Sequence, residues 1–334
     1  MQKVFDHDLN RDICEFDYKG RLYRYPSQLL KRYELDSLLC CGGFGVLLVA
    51  KDTRIFNRKV LIKTGLLPPT LFDHPRDIAL EKAVDENRKR MEHEKKLLLH
   101  GHLRGVGGIP TLIDWVEDIN PMVWGPHKDA QGAVFYRKEP ELWQTTTYLI
   151  LSYFDGVELG AMCTRDKFKN NKLGACRYLG LYIANTLKAF HEKRPYGDNT
   201  LHFVYQDLKL ENILCSYDGV YQLIDFGSFS VVTPRGPSNT GIGTEGYMAP
   251  EVKKIGLQAV TPQLDVYSLG IVLKLCLQIC EGKKPDFSAG VSQLDISDDW
   301  KNFLQTCTAT DPVQRFRDMS ALIYGMPKPF NKEN

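Results

Sequence analysis

Two motifs that follow each other closely constrain this chain more than any other feature of its sequence. The first is Val204–Leu214 (VYQDLKLENIL) and the second is Leu223–Gly227 (LIDFG). In both, apolar strand-like runs flank a turn, and the turns carry Asp207, Asn212 and Asp225. Phosphoryl transfer requires such parts: a carboxylate that accepts a hydroxyl proton, and oxygen ligands for Mg²⁺. Two solvated turns are the alternative, since Asp and Asn favour turns, but the order and spacing favour a phosphoryl-transfer site.

A glycine-rich turn lies upstream of these motifs, after a predicted strand at 33–39. Its residues are Cys40, Cys41, Gly42, Gly43, Phe44 and Gly45. Glycines allow backbone amides to approach phosphate oxygens closely. A plain glycine turn within a hairpin is the alternative, and this motif alone does not decide between the two.

A lysine ends the short apolar strand predicted at Val60–Lys63. An exposed edge charge is the ordinary interpretation, but a lysine after a glycine-rich hairpin is also typical of a phosphate-binding strand. Such a lysine needs a carboxylate partner on the next helix, which the composition predicts at 79–100. Glu94 is the expected partner because its spacing places it on the apolar face of that helix. Glu86 and Glu92 remain alternatives.

Together these motifs resemble the protein-kinase superfamily, and the resemblance covers residues 33–325. The resemblance extends to three later segments: Gly243–Glu251 (GTEGYMAPE), Asp265–Gly270 (DVYSLG) and Asp311–Phe316 (DPVQRF). Small-molecule kinases of related fold usually lack these segments. The resemblance implies an α+β, bilobal fold with a small antiparallel β-rich N-lobe that carries one long helix. The larger C-lobe would be mostly helical, and Arg315 would pair with Glu251.

The resemblance also implies a role for each site residue. Asp207 would orient a substrate hydroxyl and accept its proton, and Asn212 and Asp225 would hold Mg²⁺, with Mn²⁺ as an alternative ion. Lys209 resembles the lysine that serine/threonine kinases place against the γ-phosphate of ATP. The remaining ATP-binding residues would be Gly42, Gly43, Phe44, Gly45, Lys63 with its partner Glu94, and the linker residues Leu151, Ser152, Tyr153 and Phe154.

The chain departs from the family pattern in two places. Cys40 stands at the first glycine position, and Tyr205-Gln206-Asp207 replaces the usual His-Arg-Asp. The missing arginine normally neutralises a phosphate on the activation segment, so we expect activity that does not depend on phosphorylation there. A Tyr-x-Asp loop is also similar to that of some soluble bacterial kinases, which favours a bacterial or phage source.

Bulk composition excludes several classes of partner. The formal charge is +2, from 43 Lys and Arg against 41 Asp and Glu, which gives no electrostatic reason for nucleic acid binding. A membrane span requires about 20 uninterrupted apolar residues, and no stretch of this sequence approaches that length, so no span is predicted. Nine scattered cysteines without a Cys-x-x-Cys pair favour a reducing, cytoplasmic setting.

The pattern along the chain predicts four regions. These are an N-terminal extension at 1–32, an N-lobe at 33–154 with an insertion at 118–146, a C-lobe at 155–326 and a polar tail at 327–334. Helices are expected at 178–191, 265–281 and about 298–322. The extension and the insertion are candidates for partner contacts. Docking onto the N-lobe is the alternative for the extension, and a folded extension of the hairpin is the alternative for the insertion.

The predicted function is transfer of the γ-phosphate of ATP to Ser or Thr hydroxyls of a protein substrate. A catalytically inactive binding module of the same fold is one alternative, and a small-molecule phosphotransferase is the other. The fold does not distinguish them, so the site must.

Overall fold

The computed structural model describes residues 1–7, 9–19, 21–42, 45–65, 78–120, 126–128, 134–136, 145–238, 243–255 and 260–328. The chain divides into two compact units. The first comprises Met1–His102 and Pro110–Tyr153, and the second comprises Leu103–Ile109 and Phe154–Asn334. Strands dominate the first unit and helices the second, so the predicted α+β, bilobal fold class is confirmed.

The described part of the first unit consists of antiparallel strands and one long helix. The strands are β1 (Gln2–Asp6), β2 (Arg11–Tyr18), β3 (Arg21–Pro26), β4 (Gln28–Leu29), β5 (Tyr33–Gly42), β6 (Gly45–Asp52), β7 (Arg58–Thr64), β8 (Leu112–Ile119), β9 (Pro126–Lys128), β10 (Val134–Tyr136) and β11 (Thr145–Ser152). The helix, α1, spans Ile78–Leu103. The main sheet has the order β4-β5-β6-β7-β11-β8, while β1-β2-β3 form a second sheet and β9-β10 a third.

The two faces of the main sheet have different neighbours. Leu48 of β6 and Ile62 of β7 are buried in one cluster with Tyr23 and Tyr25 of the N-terminal sheet. Successive side chains of a strand point to opposite faces, so Lys63, next to Ile62, points away from that cluster. The segment predicted as a polar extension is therefore a second β-layer that covers one face of the main sheet.

The second unit consists of helices with two small sheets. Its helices are α2 (Leu159–Cys163), α3 (Asp166–Lys169), α4 (Lys172–His191), α5 (Val252–Ile255), α6 (Pro262–Cys280), α7 (Asp298–Cys307) and α8 (Met319–Gly325). Its strands are β12 (Val157–Glu158), β13 (Arg194–Tyr196), β14 (Asn199–Val204), β15 (Ile213–Cys215), β16 (Tyr221–Leu223), β17 (Ser230–Thr233) and β18 (Gly236–Pro237). They form the sheets β12-β15-β16 and β13-β14-β17-β18.

Helix α6 is the central helix of the second unit. Pro262 occupies its first turn, where the missing N–H of proline costs no helical hydrogen bond. By length and composition α6 could cross a membrane, but 78% of its apolar window is buried inside the protein. Asp265 and Lys274 are among its buried residues, so α6 matches a core helix.

The prediction of a single helix at about 298–322 is wrong. The structure has α7, then a short 3₁₀ turn at Pro312–Gln314, then α8. Proline disfavours helical geometry in the residue before it, and the Asp311 side chain accepts from the Val313 amide at 3.0 Å to begin the turn. Asp318 then caps α8 by accepting from the Ala321 amide at 2.8 Å.

Parts of the predicted insertion and tail lie outside the described residues. Within 118–146, β9 pairs with β10 as a short antiparallel hairpin, while 121–125, 129–133 and 137–144 are not described. Residues 329–334 of the tail, and Gly43 and Phe44 of the glycine-rich turn, are likewise outside the described residues.

Candidate active site

Lys63 and Glu94 form a buried ion pair within the first unit. Lys63 Nζ donates to Glu94 Oε1 at 2.8 Å and lies 2.8 Å from Oε2. The two side chains are 7% and 4% exposed. Of the two alternative partners, Glu86 is exposed, and Glu92 pairs with Lys95, with 2.5 Å between Glu92 Oε2 and Lys95 Nζ. Glu94 is therefore the partner of Lys63. Removing one partner of an ion pair this deeply buried would leave the other charge unpaired in the interior, which strongly destabilises a protein. Each residue therefore depends on the other.

The glycine-rich turn joins β5 to β6. Gly42 and Gly45 are register partners across the two strands. Gly45 has a φ of +138°, and a Cβ there would lie 2.4 Å from the Thr64 carbonyl oxygen. No other residue fits that position. Burial raises the pKa of the neighbouring Cys41 thiol, although a hydrogen bond with Tyr23 opposes the shift, which disfavours a reactive thiolate.

The predicted adenine linker begins with Leu151 and Ser152, the last two residues of β11. Leu151 is 3% exposed, and its register partner is Leu61 of β7. The Ser152 amide donates to the Thr111 carbonyl at 2.9 Å, and the Ser152 hydroxyl accepts from the Thr111 amide at 2.9 Å. Tyr153, the next residue, lies under the Lys59 ammonium at 5.4 Å from its ring centre. Phe154 belongs to the second unit, where its ring packs on Gly156.

Asp207 is the centre of a hydrogen-bonded group in the second unit. Its Oδ1 accepts from the Thr244 hydroxyl at 2.7 Å, and its Oδ2 accepts from Lys209 Nζ at 2.8 Å. Lys209 Nζ also donates to the Thr244 hydroxyl at 2.8 Å. Asp207 is 2% exposed, so these contacts fix the orientation of a carboxylate that water barely reaches.

The hairpin of β15 and β16 places Asn212 and Asp225 at the same end. Ile213 pairs with Leu223, and the Ile224 amide donates to the Asn212 carbonyl at 3.0 Å. Asn212 therefore immediately precedes the hairpin on one side, and Asp225 follows it on the other. Asp225 has a left-handed φ of 63°, an uncommon conformation for a non-glycine residue.

The donor set of this hairpin end fits Mg²⁺. Asn212 Nδ2 donates to the Asp207 carbonyl at 2.8 Å and to Asp207 Oδ2 at 3.1 Å, which leaves the amide oxygen for a cation. An amide oxygen and a carboxylate are hard ligands of the kind that Mg²⁺ prefers. Among the described residues there is no group of three His, Cys, Asp or Glu side chains that could hold a metal. Nucleotide phosphates and water would therefore complete the shell, as is usual for Mg²⁺.

Asp265 at the start of α6 anchors the loop that carries Asp207. It accepts from the Tyr205 amide on Oδ2 and from the Gln206 amide on Oδ1, both at 2.8 Å. His191, the last residue of α4, contacts Oδ2 through Nε2 at 2.8 Å. All four residues are buried. Gln206 has a φ of 70°, and these two amide contacts hold the backbone in that uncommon conformation.

The two residues that replace His-Arg are both committed to the protein interior. The Tyr205 hydroxyl donates to the Ile224 carbonyl, and its ring packs against Phe229 at 4.9 Å. Gln206 Nε2 donates to the Ser228 carbonyl at 3.1 Å, and Gln206 is 5% exposed. Gln206 therefore offers neither a charge nor an exposed donor to a phosphate group.

The predicted pairing of Arg315 with Glu251 is confirmed. Arg315 Nη1 donates to Glu251 Oε1 at 2.7 Å, and Nη2 donates to Oε2 at 2.6 Å. Arg315 Nε donates to the Ala309 carbonyl at 2.7 Å. This bidentate arrangement is the strong geometry for an arginine–carboxylate pair, and it joins the end of the segment 243–251 to the turn after α7.

Sequence reasoning missed His191 and Ser228. His191 ends an amphipathic helix, where a basic residue is common, so its contact with Asp265 had no distinct signal. The Ser228 hydroxyl donates to the Tyr205 carbonyl at 3.0 Å. Its position directly after Leu223–Gly227 was the only indication.

Comparison with known proteins connects this geometry to one family. The family model described as "Protein kinase domain" matches residues 78–323, a stretch that begins after the glycine-rich turn and Lys63. The serine/threonine-protein kinase PAK 1 of Mus musculus is 31% identical over 193 residues, which cover 52% of this chain and 31% of that protein.

Two further relatives are also named as serine/threonine-protein kinases. The serine/threonine-protein kinase max-2 of Caenorhabditis elegans is 24% identical over 185 residues, covering 50% of this chain and 26% of the relative. The serine/threonine-protein kinase pakE of Dictyostelium discoideum is 36% identical over 152 residues, covering 40% of this chain and 15% of the relative. The chain thus spans less than a third of the length of each of these relatives.

Proposed function

The chain belongs to the protein kinase domain family, and on that premise we propose that it transfers the γ-phosphate of ATP to Ser or Thr hydroxyls of a protein substrate. The observation that carries the proposal is the group around Asp207, in which Thr244 and Lys209 both bond to the carboxylate. Asn212 contacts the same carboxylate. A binding module without activity has no need of this arrangement.

Each residue has a defined part in the transfer. Asp207 orients the substrate hydroxyl, whose oxygen forms the new bond to the γ-phosphorus while the bond to ADP breaks. The hydroxyl proton passes to the Asp207 carboxylate late in the reaction, because an ionised carboxylate is a weak base. Lys209 stabilises negative charge on the transferred group, and Lys63, held by Glu94, binds the other phosphates. Asn212 and Asp225 would hold Mg²⁺, which would neutralise phosphate charge, and Mn²⁺ is the expected substitute.

The contact between Lys209 and Thr244 supports a Ser/Thr substrate. Lys209 stands two residues after the base, where the resemblance places the lysine of serine/threonine kinases. The names of the relatives agree with this choice. A protein or peptide is the proposed substrate. The segment 243–251 contacts Asp207 through Thr244 and is anchored by the buried Arg315–Glu251 pair, so a polypeptide that docks on this segment would reach the base.

The remaining proposals concern boundaries and setting. We propose a kinase domain at 33–326, with the segment 1–32 as a structural layer packed on its N-lobe. We also propose a cytoplasmic location. Release of the protein with the soluble fraction after cell lysis, without detergent, is the expected result for that location. Recovery only in the membrane fraction would contradict it.

The test is phosphate transfer from labelled ATP with Mg²⁺, both to the protein itself and to a basic protein substrate. Asp225→Ala is the matched control, since it removes a metal ligand. We expect labelled phosphoserine or phosphothreonine with the wild type and none with the control. ATP binding without transfer to protein would favour the binding module, and transfer only to a metabolite would favour the small-molecule phosphotransferase.

A further inference from the structure

Two turns lie side by side at one end of the main sheet of the first unit. One joins β4 to β5, and the other joins β6 to β7. Tyr33 at the start of β5 pairs with Asp52 at the end of β6, which places both connections at the same end of the sheet. The Thr53 amide and hydroxyl donate to the Arg32 carbonyl at 3.0 and 2.8 Å, so the two connections contact each other directly.

The Asp52 carboxylate fixes this end of the sheet. It accepts from Arg32 Nε and Nη2, both at 2.8 Å, and from the Arg54 amide at 3.2 Å. The Ile55 amide donates to the Asp52 carbonyl at 3.1 Å, and the Asp52 side chain is fully buried. These bonds hold both connections in one conformation, so the turns present their side chains from a rigid support.

The central residues of both turns have a left-handed backbone. The φ angles are 53° and 50° for Leu30 and Lys31, and 48° and 53° for Phe56 and Asn57. Turns with positive φ at both central residues favour Gly, Asn and Asp, and a bulky side chain makes this conformation unfavourable. Asn57 follows the preference, but Leu30 and Phe56 do not. Uncommon backbone of this kind is concentrated at functional sites, so packing or function must account for the two apolar residues.

Packing within the protein does not account for them. The Phe56 side chain is fully exposed, and Leu30 and the neighbouring Ile55 are 45% and 38% exposed. A single exposed apolar residue is ordinary, but a group of them on adjacent turns is typical of an interaction surface. We call Leu30, Ile55 and Phe56 the apolar tip.

Exposed basic side chains border the apolar tip, each within two residues of it along the chain. They are Lys31, Arg54 and Arg58. Within the described part of the chain none of the three forms an ion pair, because Asp52 is buried against Arg32, and Glu34 and Asp36 lie beside Lys51. The whole chain carries a formal charge of only +2, so this end of the sheet concentrates positive charge that bulk composition does not reveal.

An apolar tip with a basic border fits the surface of an anionic bilayer. Apolar side chains enter the boundary between headgroups and acyl chains, while Lys and Arg remain with the anionic headgroups. A protruding tip needs no matching pocket in a fluid bilayer, whereas a protein partner would have to supply one. The aliphatic side chains of Leu30 and Ile55 offer no stacking surface to nucleic acid bases.

We propose that the apolar tip inserts into the surface of anionic membranes, with the three bordering basic residues on the lipid headgroups. Attachment by so few side chains is reversible, so it agrees with release of the protein into the soluble fraction after lysis. Membrane binding of this kind does not depend on kinase activity, and it can be measured without nucleotide or substrate.

The test measures cosedimentation of the full chain with vesicles made of equal parts phosphatidylserine and phosphatidylcholine, and with vesicles of phosphatidylcholine alone. Phe56→Asn removes the ring and supplies a residue that tolerates positive φ. We expect this variant to bind the mixed vesicles at least about tenfold more weakly than the wild type, the loss that one large apolar side chain gives. Tyr324→Asn is the matched control, because it removes a tyrosine of α8 that is 94% exposed, and it should bind like the wild type.

Arg54→Gln combined with Arg58→Gln tests the basic border. We expect about 30-fold weaker binding to the mixed vesicles, the effect of two charges at an anionic surface, and no change with phosphatidylcholine alone. The control combines Lys253→Gln with Arg317→Gln, two exposed positions of the second unit, and should keep wild-type binding. Added salt should weaken binding of the wild type to the mixed vesicles.

A tryptophan at the tip reports insertion directly. Phe56→Trp keeps an aromatic ring suited to the membrane interface, so it should bind like the wild type, and its emission should shift to shorter wavelength with the mixed vesicles. Absence of that shift, no binding by the wild type, or binding that Phe56→Asn leaves intact overturns the proposal. Equal losses in Phe56→Asn and Tyr324→Asn also overturn it. Thermal unfolding of Phe56→Asn at the wild-type temperature or above shows that its loss of binding reflects the missing ring.

Discussion

The Thr244 hydroxyl donates to Asp207 Oδ1 at 2.7 Å and accepts from Lys209 Nζ at 2.8 Å. One side chain from the segment 243–251 thereby contacts both charged residues of the catalytic loop. The same segment ends at Glu251, which Arg315 binds with two hydrogen bonds. The orientation of the Asp207 carboxylate therefore depends on how this whole segment is held.

Thr244→Val removes both hydrogen bonds with little change of shape. We expect kcat to fall by about 10- to 100-fold, because a small misorientation of the base is costly, while KM for ATP stays unchanged. Thr244→Ser keeps the hydroxyl and should retain activity within about threefold. Steady-state kinetics of the two variants measure this, and equal loss in both would contradict the role of the hydroxyl.

Lys63→Met removes the buried cation of the first unit. We expect kcat/KM for ATP to fall by at least about 100-fold, as for other preorganised charges that stabilise a transition state. Glu94→Gln should also lower it, because the neutral amide leaves Lys63 without its carboxylate. Lys51→Met is the control, since Lys51 lies on the neighbouring strand and its side chain is 46% exposed. Wild-type kinetics for Lys63→Met would exclude Lys63 from phosphate binding.

Protein treated with a phosphatase should keep its full activity. Gln206 is buried and bonded to the Ser228 carbonyl, so it offers no receptor for a phosphate. The segment 230–238, which follows Leu223–Gly227, is held in place without a phosphate, because β17 pairs with both β14 and β18 and Ser238 forms two hydrogen bonds with Val231. Turnover rates before and after treatment, with mass spectrometry to verify phosphate removal, decide the point. A dephosphorylated protein without turnover would contradict it.

In acid, the first unit should lose the stabilisation that the pairing of Asp52 with Arg32 contributes. Two hydrogen bonds of 2.8 Å from Arg32 hold the pKa of Asp52 below its usual value of 3.8, and the Asp52 side chain is fully buried. Because the folded pKa is the lower one, this stabilisation is present above pH 3.8 and is lost as the pH falls through the folded pKa.

Arg32→Gln tests this directly. We expect a lower free energy of unfolding than the wild type at neutral pH, with the difference narrowing as the pH falls below 3.8. Lys89→Gln is the control, because Lys89 pairs with Asp85 on an exposed part of α1 and such pairs contribute little. A difference between Arg32→Gln and the wild type that does not change with pH would contradict the assignment.

Residues that phosphoryl transfer requires could be predicted because their chemistry leaves few alternatives. Asp207, Asn212 and Asp225 follow from their order and spacing, and Glu94 follows from its place on the apolar face of α1. Their contacts are local or lie between adjacent elements, such as the β15–β16 hairpin that brings Asn212 and Asp225 to one end. The roles of these residues remain predictions that the kinetics above test.

Other features could not be predicted because they depend on contacts between distant segments. The N-terminal layer places Tyr23 and Tyr25 on Leu48 and Ile62, and a strand's own pattern does not identify the sheet that covers it. Lys274 lies within the apolar body of α6, and nothing in its neighbouring sequence identifies what its ammonium contacts. Its burial arises from a loop 13 to 15 residues further along the chain.

The central claim is that Asp207 serves a kinase that acts on Ser or Thr. The most direct measurement is phosphoamino acid analysis of a protein substrate after reaction with labelled ATP and Mg²⁺, for the wild type and for Asp207→Asn. We predict labelled phosphoserine or phosphothreonine with the wild type, and a rate at least about 100-fold lower with Asp207→Asn at unchanged ATP binding. Labelled phosphotyrosine alone, or equal transfer by Asp207→Asn, would contradict the account.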